Sequence, residues 1–156
     1  MKKTITILGY LFLVLIVVLA TTFGALYLIG KKLDKESKAY VDAAVPAIAA
    51  DWDIEELRKR ASPEFDSGLD YDEVGEYFDS LHELGKFEAY QGSTGESTIA
   101  ISLRYGYEVT ADYTATVNFE TGTAEIQVLL IKQGGLWQIL DFKVSPEAYS
   151  EDKNII

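Results

Sequence analysis

The chain contains no cysteine. That excludes disulfides, thiolate metal sites, a cysteine nucleophile and a lipidated N-terminal cysteine. Histidine occurs once, at His82, so a zinc centre lacks its usual ligands. There is no glycine-rich phosphate loop and no nucleophile elbow. The acids Asp66, Asp70, Asp72 and Glu73 lack the spaced oxygen loop and central glycine of a calcium site, and helix capping explains them better. No metal and no cofactor are expected. Basic residues are scarce as well, 14 against 25 acidic ones. From residue 33 onward the balance is 10 to 25, a formal charge of −15. Such a domain repels phosphate backbones, so nucleic acid is not an expected partner.

Charge of either sign is missing altogether from Ile5 to Gly30, ITILGYLFLVLIVVLATTFGALYLIG. These 26 residues exceed the roughly 20 that a helix needs to cross a bilayer. A cleavable signal has only about 7–15 apolar residues before a small-x-small site. Here the apolar run continues, and the best cut, after Ala25, places Phe23 where a small residue belongs. An uncleaved anchor is the favoured reading, with the lipid bilayer as partner through residues 5–30. Lysine counting alone, Lys2 and Lys3 before against Lys31, Lys32, Lys35 and Lys38 after, favours a cytoplasmic C-terminus. The short basic start and short tail are those of a signal anchor and favour the opposite. We expect a single-pass protein of a bacterial-type cytoplasmic membrane with its C-terminal domain outside.

Beyond the anchor, Leu33, Tyr40, Val41, Ala44, Val45, Ile48 and Trp52 recur at helical spacing. They predict a helix that leaves the membrane and runs into the domain, bent at Pro46. Asp53 with Glu56, and Asp70 with Glu73, read as capping boxes, and Ser62-Pro63 as a further helix start. Val74, Tyr77, Phe78, Leu81 and Leu84 form the apolar face of a third helix. His82 borders that face and reads as a boundary residue.

After Gly85 the period becomes two. Phe87–Gly92 is a predicted strand and GSTGES a predicted turn. From Ile99 to Phe119 apolar odd positions alternate with polar even ones. That length is too great for one strand, which predicts a hairpin or bend near Arg104-Tyr105-Gly106. Strands Ala124–Lys132 and a last one through Trp137 follow. The expected fold is α+β: a transmembrane helix, then three helices packed on a curved antiparallel sheet of four to five strands. Its parts are a stub and anchor, 1–30; a helical neck and first domain helix, 31–52; an α+β domain, 53–146; and a tail, 147–156.

Helices followed by a long meander ending in Trp137-Gln138-Ile139-Leu140-Asp141-Phe142 resemble the nuclear transport factor 2-like (cystatin-like) cone over residues 33–146. The arrangement is also similar to the extracytoplasmic domain of type IV secretion scaffold subunits. The resemblance implies helices filling the concave face of the sheet and a pocket that can open at the mouth. The superfamily includes isomerases, dehydratases and many non-catalytic binding domains, so fold alone does not choose between them.

An isomerase-like site would use a carboxylate in an apolar cavity with tyrosine donors. The pocket candidates are Asp141, Trp137, Tyr105, Tyr107 and Tyr113. Strand parity leaves the side of Asp141 open, because Trp137 and Ile139 share one face with it while Leu140, Phe142 and Val144 share the other. Lys143, two residues on, favours an ion-paired surface acid over a catalytic one. Asp112 falls on the polar face of its strand. With no catalytic set recognised, the expected function is a non-enzymatic, membrane-anchored binding or assembly module of the cell envelope. Another envelope protein is the expected partner. The alternative is a small-molecule-binding or isomerase-like enzyme using the cone pocket. The neck's apolar stripe also allows a homo-oligomer, though packing on the sheet explains it equally.

Overall fold

A computed structural model describes residues 2–102 and 106–146, with side chains from 7 to 100 and 106 to 146. The chain is α+β and divides into two units, residues 1–33 and 34–156.

Helix α1 spans Lys2–Ala49. Within the first unit, every residue from Ile7 to Ile29 is exposed. This is a helix long and apolar enough to cross a membrane, consistent with a single-pass anchor.

In the second unit α1 continues through Pro46 and buries Val41, Ala44, Val45, Ile48 and Ala49. It stops in a left-handed turn. Trp52 has φ +47°, and the Asp53 amide reaches back to the Ile48 carbonyl at 3.3 Å. That six-to-one bond and left-handed residue are the marks of a Schellman cap, a place usually held by glycine. Trp52 is retained there by its indole, which stacks on Phe119 at 5.3 Å and meets Phe78 edge-on at 5.8 Å.

Three short helices follow: α2 (Ile54–Arg58), α3 (Pro63–Gly68) and α4 (Tyr71–Leu81). Asp53, Ser62 and Asp70 each accept first-turn amides as N-caps, satisfying donors that helix starts leave open. The expected return bond from Glu56 is replaced, because its carboxylate pairs with Lys59 at 2.7 Å and with Arg60. Two cations within reach outcompete one backbone amide.

The sheet has four antiparallel strands in sequence order: β1 (Phe87–Ser102), β2 (Gly106–Phe119), β3 (Gly122–Gln133) and β4 (Leu136–Pro146). The expected strand break at GSTGES does not occur. β1 runs through it, paired to β2 from Phe87 to Ser102 with register shifts near Ala89 and Gly92. Gly92 has φ +114°, a conformation glycine adopts without penalty. Ser93 and Ser97 of that segment find hydrogen-bond partners on α1 instead. Ser102 pairs with Gly106, so the chain reverses between β1 and β2 near the expected position.

Both edges of the sheet are partly covered, β1 by Asp34, which accepts from the Ser97 amide, and by Lys38, which donates to the Ser93 carbonyl. On β4, the Ile139 amide donates to the Arg60 carbonyl and its carbonyl accepts from the Ser62 amide, each at 2.7 Å. The Tyr77 hydroxyl donates to the Val144 carbonyl at 2.8 Å. Covered edges suppress strand-to-strand aggregation.

Candidate functional site

The described pocket candidates lie in different surroundings. Tyr105 lies outside the described residues. Tyr107 is 77% exposed, because the apolar face of β2 runs past the end of the core. Tyr113 is 1% exposed, and its hydroxyl bonds with Ser37 Oγ at 3.0 Å and donates to the Asp34 carbonyl at 3.1 Å. Trp137 is buried beneath Lys132, whose ammonium lies 5.3 Å from the ring centroid and pairs with Glu36 at 2.5 Å.

Asp141 is placed by a β-bulge. Leu129 pairs with Asp141 while Leu130 pairs with Ile139, leaving Leu140 as the extra residue. The bulge changes the phase of β4. Trp137 and Ile139 face the core before it, and Val144 faces the core after it. Neither parity class is inside throughout, which is why alternation could not decide. Asp141 keeps 39% of its side chain exposed. One oxygen accepts from the Phe142 amide at 3.0 Å and the other from Lys143 Nζ at 2.6 Å. The hydrogen bond from Lys143 to this carboxylate raises the lysine pKa.

Asp141→Asn is therefore expected to keep the amide acceptor and shift unfolding free energy by no more than about 0.5 kcal/mol. Asp141→Ala strands the Phe142 amide and should cost about 1 kcal/mol. Urea denaturation of the three proteins checks both; an Asn variant as damaged as the Ala variant would make the ion pair, not the amide cap, the main role.

The polar cluster with the most connections escaped sequence reasoning. Asp34, Ser37, Lys38 and Asp42 on α1 form a seam against the sheet. Asp42 accepts from Tyr90 and Ser93 hydroxyls, each at 2.6 Å, and from Lys38 at 3.1 Å. Lys38 also donates to the Ser93 carbonyl at 2.7 Å. Asp34 accepts from the Ser97 amide at 2.8 Å and its hydroxyl at 2.5 Å. The available signal was Asp34 and Asp42 eight residues apart on one helical face, matched to a Ser-rich segment.

Burial alone would raise the Asp42 pKa, but hydrogen bonds from Ser93, Tyr90 and Lys38 outweigh it and hold it below 3.8. Burial, then Asp42 beside it, pushes the Tyr90 hydroxyl up. Because the folded carboxyl is the stronger acid, the unfolded chain binds its proton first as pH falls. The Asp42 contribution is thus fully present above the ordinary value of 3.8 and lost as pH drops through the lower folded value. The wild-type stability minus that of Asp42→Asn should shrink below pH 3.8 and stay flat between about pH 5 and 8. A difference that instead grew on acidification would contradict the seam.

Trp52, Phe78 and Phe119 are buried in the interior, Trp52 in ring contact with both, and half-buried Phe87 meets Phe119. Clefts open at the margins. One of about 370 Å³ lies between Tyr77, Leu81, Leu84, Thr121 and Pro146. Another, of about 530 Å³, is lined by Tyr40, Glu56, Arg60, Leu136 and Trp137. Here burial raises the Tyr40 pKa against the opposing effect of Arg60. Glu56, a carboxylate lining this cleft, is shared by Lys59 and Arg60. No group of three or more His, Cys, Asp or Glu residues suited to a metal occurs among the described residues.

The outer face of the sheet differs from both clefts. Val128 and Leu130 are fully buried on the inner face, so Leu129 and Ile131 fall on the opposite one, where Leu129 is half-buried and Ile131 is buried. Register places Glu96, Asp112, Leu129 and Asp141 in one row across all four strands. Next to it run Thr98, Thr110, Ile131 and Gln138. Comparison with protein families, curated proteins and solved structures returns no match to this chain.

Proposed function

We propose that the chain is a non-enzymatic, single-pass membrane-anchored binding or assembly domain with a nuclear transport factor 2-like cone. The observation that carries this reading is the exposed apolar run from Ile7 to Ile29, which needs a bilayer or a comparable apolar environment around it. Two further features support it. The interior of the second unit is occupied by aromatic side chains, and the residues best suited to acid–base chemistry are dispersed. Asp141 is engaged with Lys143 and a backbone amide, Tyr113 with Ser37 and Asp34. We place the acidic domain on the extracytoplasmic side of a cell-envelope membrane, with another envelope protein as its partner.

The test is chemical crosslinking of the full-length protein in native membranes, followed by purification and identification of what is joined to it. Reproducible recovery of one envelope complex is the expected result. Recovery of lipid and the protein alone would overturn the assembly role. A cellular activity abolished by Asp141→Asn in a folded protein would move the function to a catalytic pocket.

A further inference from the structure

We infer that the outer face of the sheet is a docking surface for a partner segment combining bulky apolar side chains with lysine or arginine. This rests on the binding role proposed above and specifies the chemistry of the partner.

The face offers an apolar floor. A groove of about 370 Å³ at one end of the sheet is lined from this face by Glu108, half-buried Leu140 and buried Ile131, and also by Glu64, by Lys132 and by exposed Tyr107 from the core-facing side of β2. Leu129, one row away, extends the apolar surface toward Asp112 and Asp141. The bulge matters here, because it places Leu140 as an unpaired residue between Ile139 and Asp141. A groove of this size accepts a large side chain from an approaching segment.

Charge decides the occupant. Glu96 and Asp112 are directly cross-strand, an arrangement that destabilises a sheet when both are ionised. Asp141 ends the same row, and Glu108 borders the groove. The nearby cations are already engaged: Lys143 with Asp141, and Lys132 with Glu36. A cationic side chain arriving over Glu96 and Asp112 relieves their repulsion, while the apolar floor supplies area to bury. A second copy presenting the same face would set carboxylates against carboxylates. A purely apolar partner would desolvate these acids without compensation.

The test uses the full-length protein in nanodiscs of zwitterionic lipid, with empty nanodiscs as background. Three fluorescent peptides of equal length serve as probes: alternating Lys-Leu, alternating Lys-Ser and alternating Glu-Leu. The Lys-Leu peptide should bind at least about tenfold more tightly than either control. Glu108→Lys with Asp112→Lys should weaken it about tenfold or more. The same charge change on α4, Glu76→Lys with Asp79→Lys, should alter affinity by less than about twofold. Urea midpoints verify folding, and Glu108→Gln with Asp112→Asn replaces the reversal if that variant unfolds.

Equal binding of Lys-Ser would reduce the effect to net charge and overturn the proposal. Equal binding of Glu-Leu, or equal loss from both charge-reversed pairs, would overturn it too. A dimer in sedimentation that dissociates on Leu140→Ser would assign the face to a second copy instead. If the complex crosslinked in native membranes survives Glu108→Lys with Asp112→Lys, the assembly role stands and this surface is not its docking site. If no complex forms with the wild-type protein, the wider reading fails first.

Discussion

Replacing Trp52 by alanine should lower the unfolding free energy of the domain by about 3–5 kcal/mol, a large part of the total that a domain of this size commands. Trp52 is 4% exposed, and its indole links the end of α1 to Phe119 on β2 and Phe78 on α4. Truncation therefore opens a cavity where three elements meet. The backbone makes a second, finer expectation. At φ +47° an L-residue carries strain that glycine does not, so Trp52→Gly should be about 1 kcal/mol more stable than Trp52→Ala. Ordinary helix or loop preference would give the reverse order. Urea unfolding followed by circular dichroism measures both differences. An alanine variant as stable as the glycine variant would mean that the left-handed cap is not retained once the indole is gone.

Gly95→Ala is expected to disrupt the pairing of β1 with β2 and to cost more than 3 kcal/mol, beyond the usual range for a single substitution (roughly 0.5–3 kcal/mol). A methyl at Gly95 would lie 2.0 Å from the Asp112 carbonyl oxygen and 2.8 Å from both Cα and Cδ1 of Tyr113. Two of these three atoms are backbone, so no rotamer change relieves the overlap. Tyr113 cannot withdraw freely either, since its hydroxyl is fixed by Ser37 and Asp34. Gly75→Ala on α4 is the matched control. Nothing lies within 4 Å of its added methyl, and a helix-interior alanine should stabilise by about 0.5–1 kcal/mol. Amide hydrogen exchange locates the damage: protection should fall across Ser93–Ile99 and the facing part of β2. Intact protection there would remove the close approach at Gly95 from the account of the sheet.

The long apolar helix, the order of helices and strands, and the period of α4 and β2 were legible in the sequence, because each depends on residues close together in the chain. An uncharged apolar run declares its length without reference to anything distant. The stripe Val41, Ala44, Val45 and Ile48 and the odd positions of β2 declare their buried faces in the same local way. Asp53, Ser62 and Asp70 cap helices a few residues away, and their residue types announce it.

What the tertiary structure decided lay at places where a distant partner changes the local preference. GSTGES looks like a turn because Ser, Thr and Gly satisfy their own polar groups in turns. In the fold, Asp34, Lys38 and Asp42 of α1 supply hydrogen bonds to Ser93 and Ser97, and the segment stays in the sheet. Asp141 could not be assigned to a side from alternation, because alternation assumes an unbroken pleat. The extra residue at Leu140 shifts the pleat by one, places the core residues of β4 in both parity classes and leaves the carboxylate to Lys143 and a backbone amide. A bulge is a property of two strands in register. One strand read alone cannot contain it.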